Sequence, residues 1–317
     1  MKKAEKDKQK LILIVGPTAV GKTDISIKIA EKFGGEIISA DSMQIYKGMD
    51  IGTAKIKDEE MRGIPHHMID IVEPDEDFSV SDFKEKAYKY IEEIAERGNI
   101  PIAAGGTGFY VNSLVYNLNF ADSGSDEEVR EKYSSLAEEK GNQYIMEILR
   151  KIDPESADRI NINDRKRIVR AIEVYEVSGR KMSETYKDFR KENEDFHLIM
   201  IGLNRDRQKL YDRINRRVDI MLEEGLVDEV RSLLERGYDK NLTSMKAIGY
   251  KEVAEYIEDS ISYDEMTEIL KRNSRRFAKR QLTWFRRDKR IKWFNYDDYS
   301  SENEAFEEII DYIEKNI

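Results

Sequence analysis

The chain has 317 residues, of which 37% are charged, with a mean hydropathy of −0.70 and a formal net charge of −10. That length can bury one large domain or two smaller ones, and the absence of any run of about 20 apolar residues excludes a membrane-spanning helix. The sequence contains no cysteine, so disulfides, thiolate metal sites and cysteine nucleophiles are excluded.

The first ten residues, MKKAEKDKQK, are basic, but only five apolar residues follow before a glycine. That is too few for a signal peptide, and a cytoplasmic address is expected. Those five, Leu11 to Val15, predict a buried parallel strand. They lead into Gly16-x4-Gly21-Lys22-Thr23, a complete P-loop. Ile25, Ile29 and Phe33 then recur at helical spacing over about 22–33. Glycines let backbone N–H groups approach phosphate oxygens, and the helix N-terminus adds its positive dipole end. Lys22 supplies a point charge and the Thr23 hydroxyl can ligate Mg²⁺. Gly16, Pro17, Thr18, Ala19, Val20, Gly21, Lys22 and Thr23 are therefore the candidate phosphate cradle, for a polyphosphate or a diphosphate.

Further strands are predicted at Glu36–Ala40 and Ile100–Ala104, with a helix over about 80–97. Alternating strand and helix implies a parallel sheet covered by helices. The strands end at the P-loop, at Asp41-Ser42 and at Gly105-Gly106-Thr107-Gly108, and ligands of open α/β sheets bind outside the carboxyl ends of strands. These three turns are expected to line one site. From Asp122 to about Asp195 the chain turns charged and strand-free, with helices expected at 125–139, 142–151, 163–177 and 182–191. His197–Leu203 reads as a return to the sheet, after which the chain is expected to be helical almost to its end. The expected division is thus 1–121, an inserted helical domain 122–195, and 196–317.

Asp41 ends its strand beside the P-loop. It suits a Mg²⁺ site reached through water, a general base, or merely the cap of the next turn. Arg213 and Arg217 lie four apart on one helical face, with Ile214, Val218 and Met221 on the apolar side. They can complete an anion clamp or stand as a solvated face. Arg165, Lys166, Arg167 and Arg170 form another basic patch. Between Lys271 and Lys292 there are eleven Lys/Arg and one acid, Asp288. Phe277, Trp284, Phe285 and Trp293 are interleaved with them, which suits RNA or an apolar core stripe with a wet cationic face. The adjacent His66 and His67 are expected to be structural, because neighbouring residues rarely chelate one metal together.

Six stretches together resemble the bacterial tRNA dimethylallyltransferase family: GPTAVGKT at 16–23, DSMQIYKGMDIGTAK at 41–55, PHHMID at 65–70, GGTGFY at 105–110, DRKRIVRAIE at 164–173 and AKRQLTW at 278–284. The resemblance runs in consistent order from about residue 10 to 295. It implies a P-loop NTPase-like α/β fold, a parallel sheet flanked by helices, with an inserted all-helical domain. It implies transfer of a dimethylallyl group from dimethylallyl diphosphate, with Mg²⁺, to N6 of the adenosine 3′ of the anticodon in tRNA. Thr18, Lys22 and Thr23 would grip the diphosphate and metal, Arg217 would neutralise the departing charge, and Asp41 would be the base, making Asp41, Thr23 and Arg217 the catalytic set. Asp41, Ser42, Met43, Gln44, Thr107, Arg130, Lys166, Arg167, Ile168, Val169 and Arg170 match positions that contact tRNA, with the inserted region clasping the anticodon stem-loop. A monomer is sufficient for this. Val20 stands where a smaller residue is common, without disturbing the cradle. A kinase using ATP and a prenyltransferase acting on free AMP are the competing enzymes.

Overall fold

Leu11 to Val15 are fully buried and form the middle of strand β1 (Gln9–Val15). Such continuous apolar character marks a strand covered on both faces, as in a parallel sheet. The computed structural model describes residues 8–118, 126–184 and 191–317. β1 is followed by α1 (Lys22–Phe33), β2 (Gly35–Ser39), β3 (His66–His67), α2 (Val80–Glu96), β4 (Ile100–Gly105) and α3 (Gly108–Val115). α1 ends where Gly34 takes a left-handed conformation and bonds back to Ala30. α2 begins at a capping box between Ser79 and Asp82.

The chain packs as two units, Met1–Val111 with Glu194–Ile317, and Asn112–Asn193. In the second lie α4 (Glu127–Lys140), α5 (Asn142–Ile152), α6 (Pro154–Arg159) and α7 (Arg165–Ser178). Its core includes Tyr133, Ile145, Leu149, Ile168, Val169 and Ile172. Two buried carboxylates organise it. Asp153 caps α6 and accepts from the Ser156 N–H, the Ser156 hydroxyl and the Ser183 N–H. Glu173, fully buried, accepts from Arg130, Arg170 and the Asp126 N–H. Burial works to raise the Glu173 pKa, but those donors outweigh it and hold it below the usual carboxylate range. The unit begins at Asn112 rather than Asp122. The returning chain closes on the outgoing one there, Asn193 donating to the carbonyls of Leu114 and Val115 and Asn117 donating to Lys191. The change in composition thus comes later than the change in packing. Most of the helix expected at 182–191 lies outside the described residues.

Back in the first unit, β5 (Phe196–Asn204) pairs with β1. Four helices follow: α8 (Arg207–Glu223), α9 (Leu226–Glu235), α10 (Tyr250–Ile257) and α11 (Tyr263–Phe285). The unit closes with β6 (Lys292–Asn295) and α12 (Glu302–Asn316). The sheet has the order β3-β2-β4-β1-β5-β6 and every pairing is parallel. Its two edge strands are the ones the sequence does not reveal. β3 has two residues and β6 has four, too short for any periodicity to show. His67 sits on β3 because its Nε2 lies 2.7 Å from the Glu36 carboxylate, which also takes two bonds from Arg97. Both histidines are therefore part of the sheet edge. Beside the main core, a second cluster gathers Ile45, Met49, Leu226, Val230, Tyr250 and Val253. It anchors the long 40–72 connection onto α9 and α10. Among the described residues no helix is long and apolar enough to cross a membrane.

Candidate active site

The P-loop joins the carboxyl end of β1 to α1, and its conformation is dictated by close neighbours. A Cβ on Gly16 would stand 2.7 Å from the Leu203 carbonyl oxygen, and Gly21 has φ 107. Neither place tolerates a side chain. Val20 is fully buried in the main core, so its size is absorbed by packing. The loop's carbonyls are tied down by cations. Lys22 Nζ donates to Gly16 O (3.1 Å) and Pro17 O (2.9 Å), Arg213 Nε to Ala19 O (3.0 Å), and Arg205 Nε to Val20 O (3.4 Å).

Arg213 and Arg217 reach the loop together from α8, as their spacing of four requires. Ile214 and Val218 bury the opposite face at 2% and 3% exposure. Arg217 Nη1 donates to Thr18 Oγ1 at 3.3 Å. Burial presses the Arg217 guanidinium below its ordinary pKa while Asp41 opposes the shift. Lys22, Asp41 and Arg217 form one electrostatic group. Burial pushes the Lys22 ammonium down to about 8, Asp41 working against it and Arg217 with it.

Asp41 follows β2, and its Oδ1 accepts from the Met43 N–H at 2.9 Å. The turn-capping role and the charged role thus coexist in one carboxylate. The third turn is locked to the second. Thr107 Oγ1 accepts from the Ser42 N–H (2.9 Å) and donates to Ser42 Oγ (3.2 Å), while the Thr107 N–H bonds to Ala40 O. Gly105 is obligatory, since a Cβ there would lie 2.2 Å from Ala40 O. Gln44 is held from both ends of its amide. Its Oε1 accepts from Ser39 Oγ, and its Nε2 lies 3.4 Å from the carbonyls of Thr53 and Ala54. Met43 packs against the second core cluster.

The remaining expected contact residues belong to the helical unit. Lys166 and Arg167 are exposed, Arg167 lying 3.3 Å from Asp164. Ile168 and Val169 are not available as contact side chains, because both sit in the core of that unit at 0% and 2% exposure. Arg130 and Arg170 carry a structural duty as the counter-ions of Glu173.

Two residues outside the expected set complete the cradle. Arg205 braces Val20, pairs with Glu302 and stacks over Tyr296. Gln281, on α11, is 5% exposed and bonds to Thr18 and Gly106. Its signal in the sequence is a polar residue on an apolar stripe, since Ala278, Gln281 and Phe285 share the buried face of α11. The basic run is resolved the same way. α11 buries Ala278 and Phe285 and turns Arg272, Arg276, Lys279 and Arg280 outward.

Fold and site together define a P-loop protein whose cation-lined loop stands at the carboxyl edge of a parallel sheet, with a carboxylate beside it. The chain belongs to the IPP transferase family, whose sequence signature matches residues 44–288; that of the isopentenyl transferase family matches residues 9–77. It is 53% identical over 294 residues to the tRNA dimethylallyltransferase of Alkaliphilus oremlandii (strain OhILAs), covering 93% of this chain and 94% of that one. It is also similar to the crystal structure of the full-length tRNA isopentenylpyrophosphate transferase from Bacillus halodurans. There the TM-score is 0.73 at 46% identity, over 98% of this chain and 97% of the other. A eukaryotic dimethylallyltransferase acting on tRNA superposes with a TM-score of 0.81 at 30% identity, over 98% and 80% of the two chains.

The Lys22 pKa makes a prediction of its own. A diphosphate in the cradle restores a counter-charge and raises that pKa, so near pH 8 binding takes up a proton. Affinity is expected to be greatest below about pH 8 and to weaken above it, as Lys22 deprotonates in the free protein. Calorimetry of diphosphate binding at pH 8, in buffers of different ionisation enthalpy, reads the uptake directly. Identical heats in all buffers would remove Lys22 from the binding linkage.

Proposed function

We propose that the protein transfers the dimethylallyl group of dimethylallyl diphosphate to N6 of the adenosine 3′ of the anticodon in tRNA, releasing diphosphate. The observation that supports this best is the grouping of Lys22, Arg217 and Asp41. Two cations suited to a diphosphate stand beside one carboxylate suited to an amine proton. In the reaction the N6 lone pair forms a bond to the carbon bearing the diphosphate. The carbon–oxygen bond breaks with its electron pair going to diphosphate, and an N6 proton passes to the Asp41 carboxylate. An exocyclic amine shares its lone pair with the ring, so orienting and deprotonating it is the demanding part. The adenine has to leave the anticodon-loop stack to reach the site.

The P-loop N–H groups and Lys22 hold the diphosphate, and Arg217, bound to Thr18, meets the negative charge that grows on its oxygens. The donor set suits Mg²⁺, a hard cation that takes few protein oxygens besides those of a phosphate. The Thr23 hydroxyl at the N-terminus of α1 would hold the ion, and Asp41 would reach it through water. When bound, Mg²⁺ neutralises charge on the leaving diphosphate. The acceptor side is formed by the Asp41–Gln44 turn and Thr107, whose shared hydrogen bonds fix the two turns to each other. Lys166 and Arg167, exposed on the helical unit, supply phosphate contacts to the anticodon stem-loop.

Label transfer tests the reading. Radiolabelled dimethylallyl diphosphate and Mg²⁺ are incubated with an unmodified tRNA carrying adenosine 3′ of its anticodon, and in parallel with free AMP. Label in the tRNA alone is expected. Label in AMP moves the acceptor to a free nucleotide, and label in neither, with ATP turned over instead, makes the protein a kinase. Arg167→Ala is expected to weaken tRNA binding and to reduce the slope of log affinity against log salt by about one, leaving diphosphate binding alone. An unchanged salt slope takes Arg167 off the RNA surface.

A further inference from the structure

Gln281 is bonded to both the P-loop and the glycine loop, and the mechanism above does not use it. Its Oε1 accepts from the Thr18 N–H at 2.8 Å, and its Nε2 donates to the Gly106 carbonyl at 3.0 Å. Thr18 carries the hydroxyl that binds Arg217, on the leaving-group side. Gly106 precedes Thr107, whose hydroxyl is bonded to Ser42 on the acceptor side. One amide thus spans the two halves of the proposed reaction.

The surroundings are built for it. A Cβ on Gly106 would come within 2.2 Å of Gln281 Nε2, so only glycine admits the amide. One turn further along α11, the Trp284 indole lies against Gly108, where a Cβ would approach it to 2.4 Å. The same helix face therefore presses the glycine loop at two points. The pairing also demands an amide. A backbone N–H needs an acceptor and a backbone carbonyl needs a donor, and glutamine offers both in one group that stays neutral at every working pH, whereas a carboxyl of the same length does so only when protonated.

We infer that Gln281 is a positioning residue for the transfer, fixing the separation between the diphosphate cradle and the acceptor turns. The inference rests on the function proposed above. A displacement needs donor carbon and acceptor nitrogen aligned, and a misplacement of about 1 Å is worth about 10²-fold in rate. Both bonds of Gln281 go to backbone groups of the two loops, so its removal is expected to act on the rate of the bound complex more than on the binding of either partner.

Gln281→Glu separates this from a structural role. Ionised, the carboxylate still accepts from Thr18 but sets a second acceptor against the Gly106 carbonyl. Protonated, its O–H donates there and restores the bridge. Single-turnover transfer at pH 8 is expected to fall by about 10- to 100-fold, with the affinities for dimethylallyl diphosphate and tRNA within about threefold of wild type. The ratio of variant to wild-type rate is expected to climb as the pH drops from 8 to 6. Gln281→Met, which cannot bond to either partner, is expected to lose rate with a ratio that stays flat in pH. Wild-type rates in Gln281→Glu at pH 8, a pH-independent ratio, or a loss confined to substrate affinity would each overturn the inference. Absence of transfer by the wild type in the same assay would overturn the proposed function and this inference together. Active wild type beside an unaffected variant overturns this inference alone.

Discussion

Replacing Asp41 by asparagine is expected to cut the single-turnover rate of prenyl transfer by about 10²- to 10⁴-fold, the usual worth of a general base. Asparagine keeps the oxygen that accepts from the Met43 N–H, so the turn after β2 survives and the loss reports on charge and proton acceptance. Asp41→Ala removes that hydrogen bond as well, and is expected to lose at least about 10²-fold in turnover with a modest loss of tRNA affinity. The asparagine variant carries a second signature. The Asp41 carboxylate supports the proton on Lys22, which burial already depresses to about 8. Without that support the Lys22 pKa drops further, and the pH at which diphosphate binding takes up a proton moves downward. Single-turnover rates within threefold of wild type would take Asp41 out of the role of base, and an unmoved proton uptake would take it out of the support of Lys22. The two readouts are independent, because one needs tRNA and the other needs only diphosphate.

The sequence makes the central part of this site legible because its signals are local. The P-loop lies between one apolar run and one amphipathic helix, and Asp41 and Thr107 each stand where an apolar run stops. A parallel sheet then has to bring those three ends to one edge. Arg213 and Arg217 are legible as a pair through their spacing, although nothing local says which loop they meet. What stays hidden depends on contacts distant in sequence. Gln281 is 263 residues from Thr18, and Arg205 is 185 residues from Val20. Burial also misleads at Ile168 and Val169. They lie inside a cationic stretch that reads as surface, yet α7 turns them into the helical core while Lys166 and Arg167 stay outside. Arg130 and Arg170 are cationic for a local reason too, since the fully buried Glu173 requires partners. β3 and β6 escape detection because an edge strand of two or four residues takes its conformation from its neighbour.

Arg217→Ala is expected to lower the rate of the bound complex by about 10²- to 10³-fold, or roughly 3–4 kcal/mol of transition-state stabilisation, as removal of one preorganised donor to a developing anion does. Arg217 is half-buried, where a charge acts with little screening, and it reaches the cradle through the Thr18 hydroxyl. Arg213, on the same helix face, is exposed and spends its Nε on the Ala19 carbonyl. Its contribution is to brace the loop and add screened charge, so Arg213→Ala is expected to weaken diphosphate binding by less than about tenfold and to leave the single-turnover rate nearly intact. Arg217→Lys restores charge without the planar fork and is expected to recover only part of the loss. Equal effects of the two alanine variants on the bound-complex rate would show that the arginines act as a diffuse positive field. A loss at Arg217 alone would place the growing charge of the leaving diphosphate beside Thr18, as the proposed reaction requires.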